Sequence, residues 1–238
     1  MSPLPRAGEV RSNPVVPRSD IGAQQVAPVG ARTMGFYSEQ VLPRIVNVAC
    51  GMKANEQMRR RVCDGLHGEV FELGFGSGLN VPWYPPAVSR VDGVEPADVG
   101  WRLAAGRLAA STVPVRRAGL DGQALPFEDA TYDAALSTWT LCTIPDVAAA
   151  LLEVRRVLKP GASLHFVEHG LAPDEPVQRW QRRVEPLQKR MAGGCHLTRP
   201  ILELLTEAGF EIAALDRFYE KGAPKSVGAQ YLGSAVSP

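Results

Sequence analysis

The chain has 238 residues, 45% of them hydrophobic and 21% charged, which suits a water-exposed globular protein with one sizeable core and appendages. Its formal net charge of +1 gives no long-range field for a nucleic-acid partner, so a small-molecule or lipid substrate is the better expectation. No apolar run approaches the roughly 18 residues that span a bilayer, so any membrane contact is peripheral.

Residues 1–33 carry Pro3, Pro5, Pro14, Pro17 and Pro28 without an aromatic residue, which predicts a disordered tail. Met34 opens a more foldable stretch and is an alternative start of the native chain. From it a single folded domain over 34–238 is expected. Between Phe36 and Met52 the apolar residues Tyr37, Val41, Leu42, Ile45 and Val46 fall mostly at helical spacing, which predicts an amphipathic helix interrupted at Pro43 and packed as a lid. A second, polar helix around Asn55 to Gly65 carries Arg59, Arg60 and Arg61 and completes a helical segment over 34–66.

Beyond it, short apolar runs alternate with helical stretches, the pattern of a parallel sheet covered on both faces. Strands are expected near Glu69 to Leu73, Arg90 to Val94, Val113 to Ala118, Tyr132 to Ser137, Ser163 to Glu168, Glu211 to Arg217 and Gln230 to Ala235. The last strand closes a hairpin and runs antiparallel to its neighbours. The fold class is therefore α/β, a Rossmann-like sheet of seven mostly parallel strands with helices on both faces. Residues 67–170 are expected to form the core of the sheet, the segment that would carry a ligand site, and 171–238 the outer helices and closing hairpin.

Helices are predicted over Val147 to Leu158, punctuated by Lys159, Pro160 and Gly161, and over Arg199 to Ala208, stopped by Gly209. A third, basic helix has Val177, Trp180, Val184, Leu187 and Met191 at spacings of three and four, opposite Arg179, Arg182, Arg183, Lys189 and Arg190. Its apolar stripe is expected to dock on the sheet, with a membrane-surface or substrate-gating role as the alternative, and Pro186 should weaken its second half.

Cys50, Cys63, Cys142 and Cys195 form no C-x-x-C pair and have no zinc-type spacing, so they read as free thiols in a reducing cytoplasm and no metal is expected. The apolar flank of Leu141 and Ile144 predicts a buried Cys142. Gly194 and His196 make Cys195 the more exposed-looking of the two.

The chemistry concentrates in a turn after the first strand, where Gly74, Gly76 and Gly78 allow a ligand to approach backbone N–H groups closely. Their G-x-G-x-G spacing departs from the dinucleotide fingerprint, which needs glycine at Leu79, so pyrophosphate binding and a nicotinamide-dependent oxidoreductase are weaker readings. Glu95 ends the second strand, where a carboxylate can accept from both ribose hydroxyls. After the third strand, Asp121 stands where it can accept from an adenine amine, although an acidic residue in a tight turn also serves as a plain turn former.

The ordered run of Glu72-Leu73-Gly74-Phe75-Gly76-Ser77-Gly78, Val94-Glu95-Pro96, Asp121-Gly122-Gln123-Ala124-Leu125-Pro126-Phe127, Tyr132-Asp133 and Leu151 to Gly161 resembles class I methyltransferases of the type 11 group. Within that group Tyr84-Pro85-Pro86, Leu141-Cys142-Thr143, Glu168-His169 and Gly194 to Arg199 are similar to the methyltransferase-like alkyl thiol S-methyltransferases and their bacterial relatives. The resemblance implies S-adenosylmethionine as methyl donor and S-adenosylhomocysteine as product. It further implies that Gly74, Phe75, Gly76 and Gly78 hold the methionine moiety, with Asn80 completing the turn. Glu95 and Pro96 would hold the ribose, and Asp121 and Gly122 the adenine. Ser137, Thr138 and Trp139 would line the transfer chamber, and Glu72 would order the cofactor amino group from behind. At its front end the sequence departs from the animal thiol methyltransferases, which begin with an apolar membrane anchor, so neither stable membrane residence nor their acceptor carries over automatically.

Transfer of a methyl group from a sulfonium is an in-line displacement that depends on orientation and exclusion of water. A thiol acceptor needs only its thiolate, whereas an oxygen or carbon acceptor wants a base. His169 and His196 are candidates for that base, each with a structural hydrogen-bonding role as the alternative. Tyr37 can shape the chamber with its ring face. A small apolar thiol is the favoured acceptor. The alternatives are a phospholipid amine, a quinol or phenol methylated at carbon or oxygen, and a module that binds the cofactor without catalysis.

Overall fold

Where a strand is buried on both faces its sequence reads as continuously apolar rather than alternating. Val70 to Leu73 and Ala134 to Thr138 are buried throughout and form the middle of the sheet; they are apolar except at Glu72, Ser137 and Thr138, toward the strand ends where the loops begin. The computed structural model describes residues 44, 47, 48, 50–119 and 121–238. The tail over 1–33, the kink at Pro43 and Tyr37 all lie outside the described residues. Among those described, the strands are β1 (Gly68–Leu73), β2 (Val88–Val94), β3 (Val115–Gly119), β4 (Tyr132–Thr138), β5 (Leu158–His169), β6 (Glu211–Tyr219) and β7 (Ala229–Val236). They form one sheet in the order β3-β2-β1-β4-β5-β7-β6, parallel except that β7 pairs antiparallel with both β5 and β6. The seven strands and the reversed last one agree with the sequence pattern.

Helices cover both faces: α1 (Lys53–Cys63), α2 (Asp98–Ala109), α3 (Val147–Val157), α4 (Glu175–Met191) and α5 (Ile201–Glu207), with a short 3-10 turn at Val81–Trp83. Successive strand residues point to opposite faces, so Phe71, Leu73, Ala135, Leu164 and Phe166 meet Leu151, Val154, Ile201 and Leu205 of α3 and α5. Val70, Val91, Ala134, Leu136 and Val167 meet Met58 and Val62 of α1 and Ala104 of α2 on the other side. Parallel strands end at one edge, and the loops after β1, β2, β4 and β5 gather there.

Three elements differ from expectation. Strand β5 starts at Leu158, because the Lys159-Pro160-Gly161 segment forms an irregularity inside the strand: Tyr132 pairs with Leu158 and Ala134 with Ser163, and Gly161 has φ +82°. Helix α5 is shorter than Arg199 to Ala208 because Pro200 caps it and the Arg199 side chain turns inward. Helix α4 runs through Pro186 to Met191, and its docked face combines polar side chains with Val184, which packs against Cys142, Cys195 and Leu197. Gln181 is buried, donating to Gly170 O and accepting from Ala172 N at 2.9 Å each, and Glu185 accepts from Thr198 N and Oγ1. The expected docking stripe instead leaves Trp180, Leu187 and Met191 exposed at 58, 62 and 61%. Hydrogen bonds to loop backbone outweighed the apolar stripe in fixing the rotation of this helix.

Candidate active site

The turn after β1 is held open by backbone geometry that side chains resist: Gly74, Gly76 and Gly78 have φ of +72, +57 and +70°. Gly74 N and Phe75 N donate to Val94 O, which ties the turn to the end of β2. Helix α2 then packs onto the turn at Gly100, where an added Cβ would stand 2.5 Å from Gly76 O. A Cβ at Gly76 itself would meet nothing nearer than Gly74 O at 3.9 Å, so the outer side of the turn is open to a ligand.

Glu95 joins these pieces. Its Oε2 accepts from Gly76 N at 3.0 Å and its Oε1 from Ala97 N at 2.8 Å. Burial raises its carboxyl above the ordinary range while the two backbone N–H groups pull it back. Each oxygen keeps a lone pair for a further donor, which is what a ribose diol requires. Pro96 beside it is exposed. Asp121 stands in an exposed turn and accepts from Gln123 N at 2.9 Å and Gln123 Nε2 at 3.1 Å. The turn-forming role is therefore the one displayed, and Oδ2 is left for a ligand amine. Gly122 lies against Leu73, whose Cδ1 is 2.5 Å from where a Cβ would be. Phe75 stacks on Trp101, centroids 4.3 Å apart, and backs the turn from inside. An open glycine turn, a carboxylate at the end of β2 and another after β3 fit S-adenosylmethionine.

A buried polar network lies beneath this cradle. Glu72 accepts from Asn80 Nδ2 at 2.8 Å and from the Tyr84 hydroxyl, and burial pushes its carboxyl up to about 7 against the pull of those bonds. The same Asn80 amide donates to Thr138 Oγ1 at 3.0 Å, and Asn80 Oδ1 accepts from Arg59 Nη1 at 2.6 Å. With every polar atom of its side chain engaged, Asn80 supports the turn and is not placed to hold the cofactor through that side chain, a correction to the sequence reading. Arg59 is 5% exposed, and desolvation lowers its pKa. By residue type alone it is indistinguishable from Arg60 and Arg61. Its place on the stripe Asn55, Met58, Arg59 and Val62, all buried, was the available signal.

On the acceptor side, Ser137 is fully buried and donates to Glu168 Oε1 at 2.7 Å, so it lies under the chamber and does not line it. Glu168 also accepts from the amides of Thr140, Leu141 and Cys142, fixing the loop after β4. Trp139 has φ +51°, an uncommon conformation for a non-glycine residue, and its indole donates to Gln230 Oε1 at 3.0 Å. His169 ends β5 with its ring 6.4 Å from that of Trp139. His196 is a neighbour of a different kind. Its amide donates to Cys142 O at 2.8 Å, its Nδ1 is 3.8 Å from Glu185 Oε1, and burial lowers its pKa.

The fold also joins residues the sequence kept apart. Cys142 and Cys195 are both buried, Cys195 only slightly less than Cys142, and their Sγ atoms lie 3.5 Å apart. Cys195 Sγ is 3.9 Å from His169 Nδ1. Hydrogen bonding from Cys142, with that of His169, lowers the Cys195 thiol pKa, and the same contact raises that of Cys142. Arg199, missed in the sequence, is buried beside them and donates to Leu141 O and Ile144 O.

Comparison with known proteins agrees with this geometry. Residues 71–166 match a family model described as a methyltransferase domain. Thiol S-methyltransferase TMT1B of Homo sapiens is 33% identical over 180 residues, covering 72% of each chain, and its counterpart in Rattus norvegicus is 31% identical over 182 residues, again 72% of each. A putative methyltransferase from Bacillus halodurans C-125 shares the fold, with a TM-score of 0.62 at 17% identity over 78% of this chain and 99% of that one. The chain belongs to the class I S-adenosylmethionine-dependent methyltransferases, in the family that includes the thiol S-methyltransferases.

Proposed function

We propose that this methyltransferase acts on the sulfur of a small, largely apolar thiol. The observation that carries the reading is the similarity to TMT1B, which spans 72% of both chains, more than the segment 67–170 alone. S-adenosylmethionine supplies an electrophilic methyl group on a sulfonium when bound. The chain's own residues bind and orient: the turn at Gly74 to Gly78 and Glu95 fix one side, and Trp139 forms a rigid wall on the other. Arg59 stands over the Trp139 ring at 4.7 Å and favours an anionic acceptor there. His169, at the edge of the same wall, can take the thiol proton. Few other groups are needed, since orientation and exclusion of water supply most of the rate.

Labelled-methyl transfer tested across hydrogen sulfide, alkyl and aryl thiols, quinols, phenols and phosphatidylethanolamine checks this reading. Label is expected on thiols; label confined to quinols or to the lipid amine would overturn it. A second reading, peripheral membrane contact, draws on one observation: α4 presents Trp180, Leu187 and Met191 to solvent among Arg179, Arg183 and Arg190. Such a face suits an anionic bilayer surface. Absence of co-sedimentation with phosphatidylglycerol vesicles at low salt would sink it.

A further inference from the structure

Cys142, His169 and Cys195 come from three segments distant in sequence, the loop after β4, the end of β5 and the loop between α4 and α5. Their Sγ, imidazole nitrogen and Sγ atoms all lie within 4.8 Å of one another. Zinc held tetrahedrally at about 2.3 Å from sulfur and about 2.0 Å from nitrogen separates two sulfurs by about 3.8 Å and sulfur from nitrogen by about 3.5 Å. The separations found are 3.5 Å between the sulfurs and 3.9 Å from Cys195 Sγ to His169 Nδ1. The two pairs that share Cys195 therefore already stand close to the spacing of one coordination sphere, and Cys142 Sγ and the imidazole lie within 4.8 Å of each other.

The scaffold around them is fixed independently. Cys142 N donates to Glu168 Oε2, Cys142 O accepts from His196 N, and Cys195 N donates to Ala192 O. Arg199 clamps the carbonyls of Leu141 and Ile144 on either side of Cys142. Two thiolates and a neutral imidazole are soft donors that suit zinc and do not suit magnesium or calcium, which take oxygen ligands. Two thiolates also neutralise a divalent cation, so the loaded cluster adds no net charge to a buried place.

We propose that Cys142, His169 and Cys195 form a binding site for one zinc ion. Binding forms two Zn–S bonds and one Zn–N bond and releases thiol protons to solvent, with no change of oxidation state. Three protein ligands leave one tetrahedral position. Cys142 and Cys195 are buried, whereas His169 is half-exposed next to Trp139, so the open position faces the acceptor side. On the thiol reading above, on which this last step rests, the acceptor thiol occupies that position and ionises there, giving its proton to solvent. His169 is then a metal ligand, and the proton-accepting role offered for it falls away.

The test is metal titration of the full, reduced chain. Cobalt(II) should give the thiolate charge-transfer bands and strong visible bands of a tetrahedral site at one equivalent, and one equivalent of zinc should displace it. Cys142→Ser and Cys195→Ser should each weaken binding by roughly 100-fold or more, while Cys50→Ser should leave it unchanged. Unaltered cobalt spectra in the wild-type chain, equal affinity in the wild type and Cys142→Ser, or a Cys142–Cys195 disulfide in the freshly isolated protein would each overturn the site. The acceptor reading fails separately: metal bound through these ligands with no thiol methylated leaves the site standing, and thiol methylation by a chain that binds no metal removes the site alone.

Discussion

Arg59 covers the indole of Trp139, its guanidinium carbon 4.7 Å from the ring centroid, while its Nη1 donates to Asn80 Oδ1 at 2.6 Å and to Thr138 Oγ1 at 3.3 Å. One buried cation thus ties α1 to the loop after β1 and to the end of β4. Arg59→Met keeps apolar bulk but leaves Asn80 Oδ1 without its charged donor, at a cost of about 1.5 to 3 kcal/mol. Urea unfolding should show that loss, and cofactor affinity should fall with it. Arg59→Lys keeps charge without the planar fork and should recover only part of both. A variant as stable as the wild type would show that the network is incidental.

Glu95 offers a sharper test of the cofactor site. Glu95→Ala removes the acceptor for Gly76 N and Ala97 N and, on the assignment made here, the partner of the ribose hydroxyls. Charge-assisted hydrogen bonds of about 1.5 to 3 kcal/mol each predict a loss of at least roughly 10- to 100-fold in S-adenosylhomocysteine affinity by calorimetry. Methyl transfer should fall for every acceptor alike, because the defect lies in the donor site. Unchanged affinity would remove Glu95 from that site.

How much of this was legible in the sequence depends on whether the cause was local. The glycine turn, Glu95 and the buried strands were visible because backbone conformation and strand burial leave marks at fixed spacing. The rotation of α4 was not. Its apolar stripe was real, yet Gln181 and Glu185 found backbone partners in the loops around Gly170 and Thr198 that no helical wheel displays. Arg59 looked like its neighbours because burial depends on what α1 meets. Cys142 and Cys195 are 53 positions apart and become neighbours only because the loop after α4 folds back onto the loop after β4, where His196 N donates to Cys142 O.

Gly100 makes a prediction of sign. An exposed helix interior gains about 1 kcal/mol when alanine replaces glycine. Here the new Cβ would stand 2.5 Å from Gly76 O and 3.3 Å from Glu95 Cγ, both part of the cofactor turn. Gly100→Ala should therefore destabilise the fold, by about 1 to 3 kcal/mol, and weaken cofactor binding more than stability. Gly106, on the same helix with nothing within 4 Å, is the control, and Gly106→Ala should stabilise. Equal effects at the two positions would mean that α2 does not press on the turn.

Glu72 predicts a pH dependence whose direction follows from its burial. Its carboxyl is pushed from an ordinary 4.5 up to about 7, so the folded chain holds this proton more tightly than the unfolded chain does. Below the ordinary value both states are protonated and nothing is lost. As pH rises from there through about 7, the unfolded state ionises first and stability falls, by on the order of 3 kcal/mol once both states are ionised. The difference in unfolding free energy between the wild type and Glu72→Gln isolates this contribution, since other carboxyls cancel. It should decline between pH 5 and pH 8, and a flat difference would mean that Glu72 titrates normally. Because S-adenosylmethionine carries positive charge, its binding near Glu72 should favour the ionised form and release a proton at pH 6 but not at pH 8. Calorimetry in two buffers of different ionisation enthalpy reads that proton, and Glu72→Gln should abolish it.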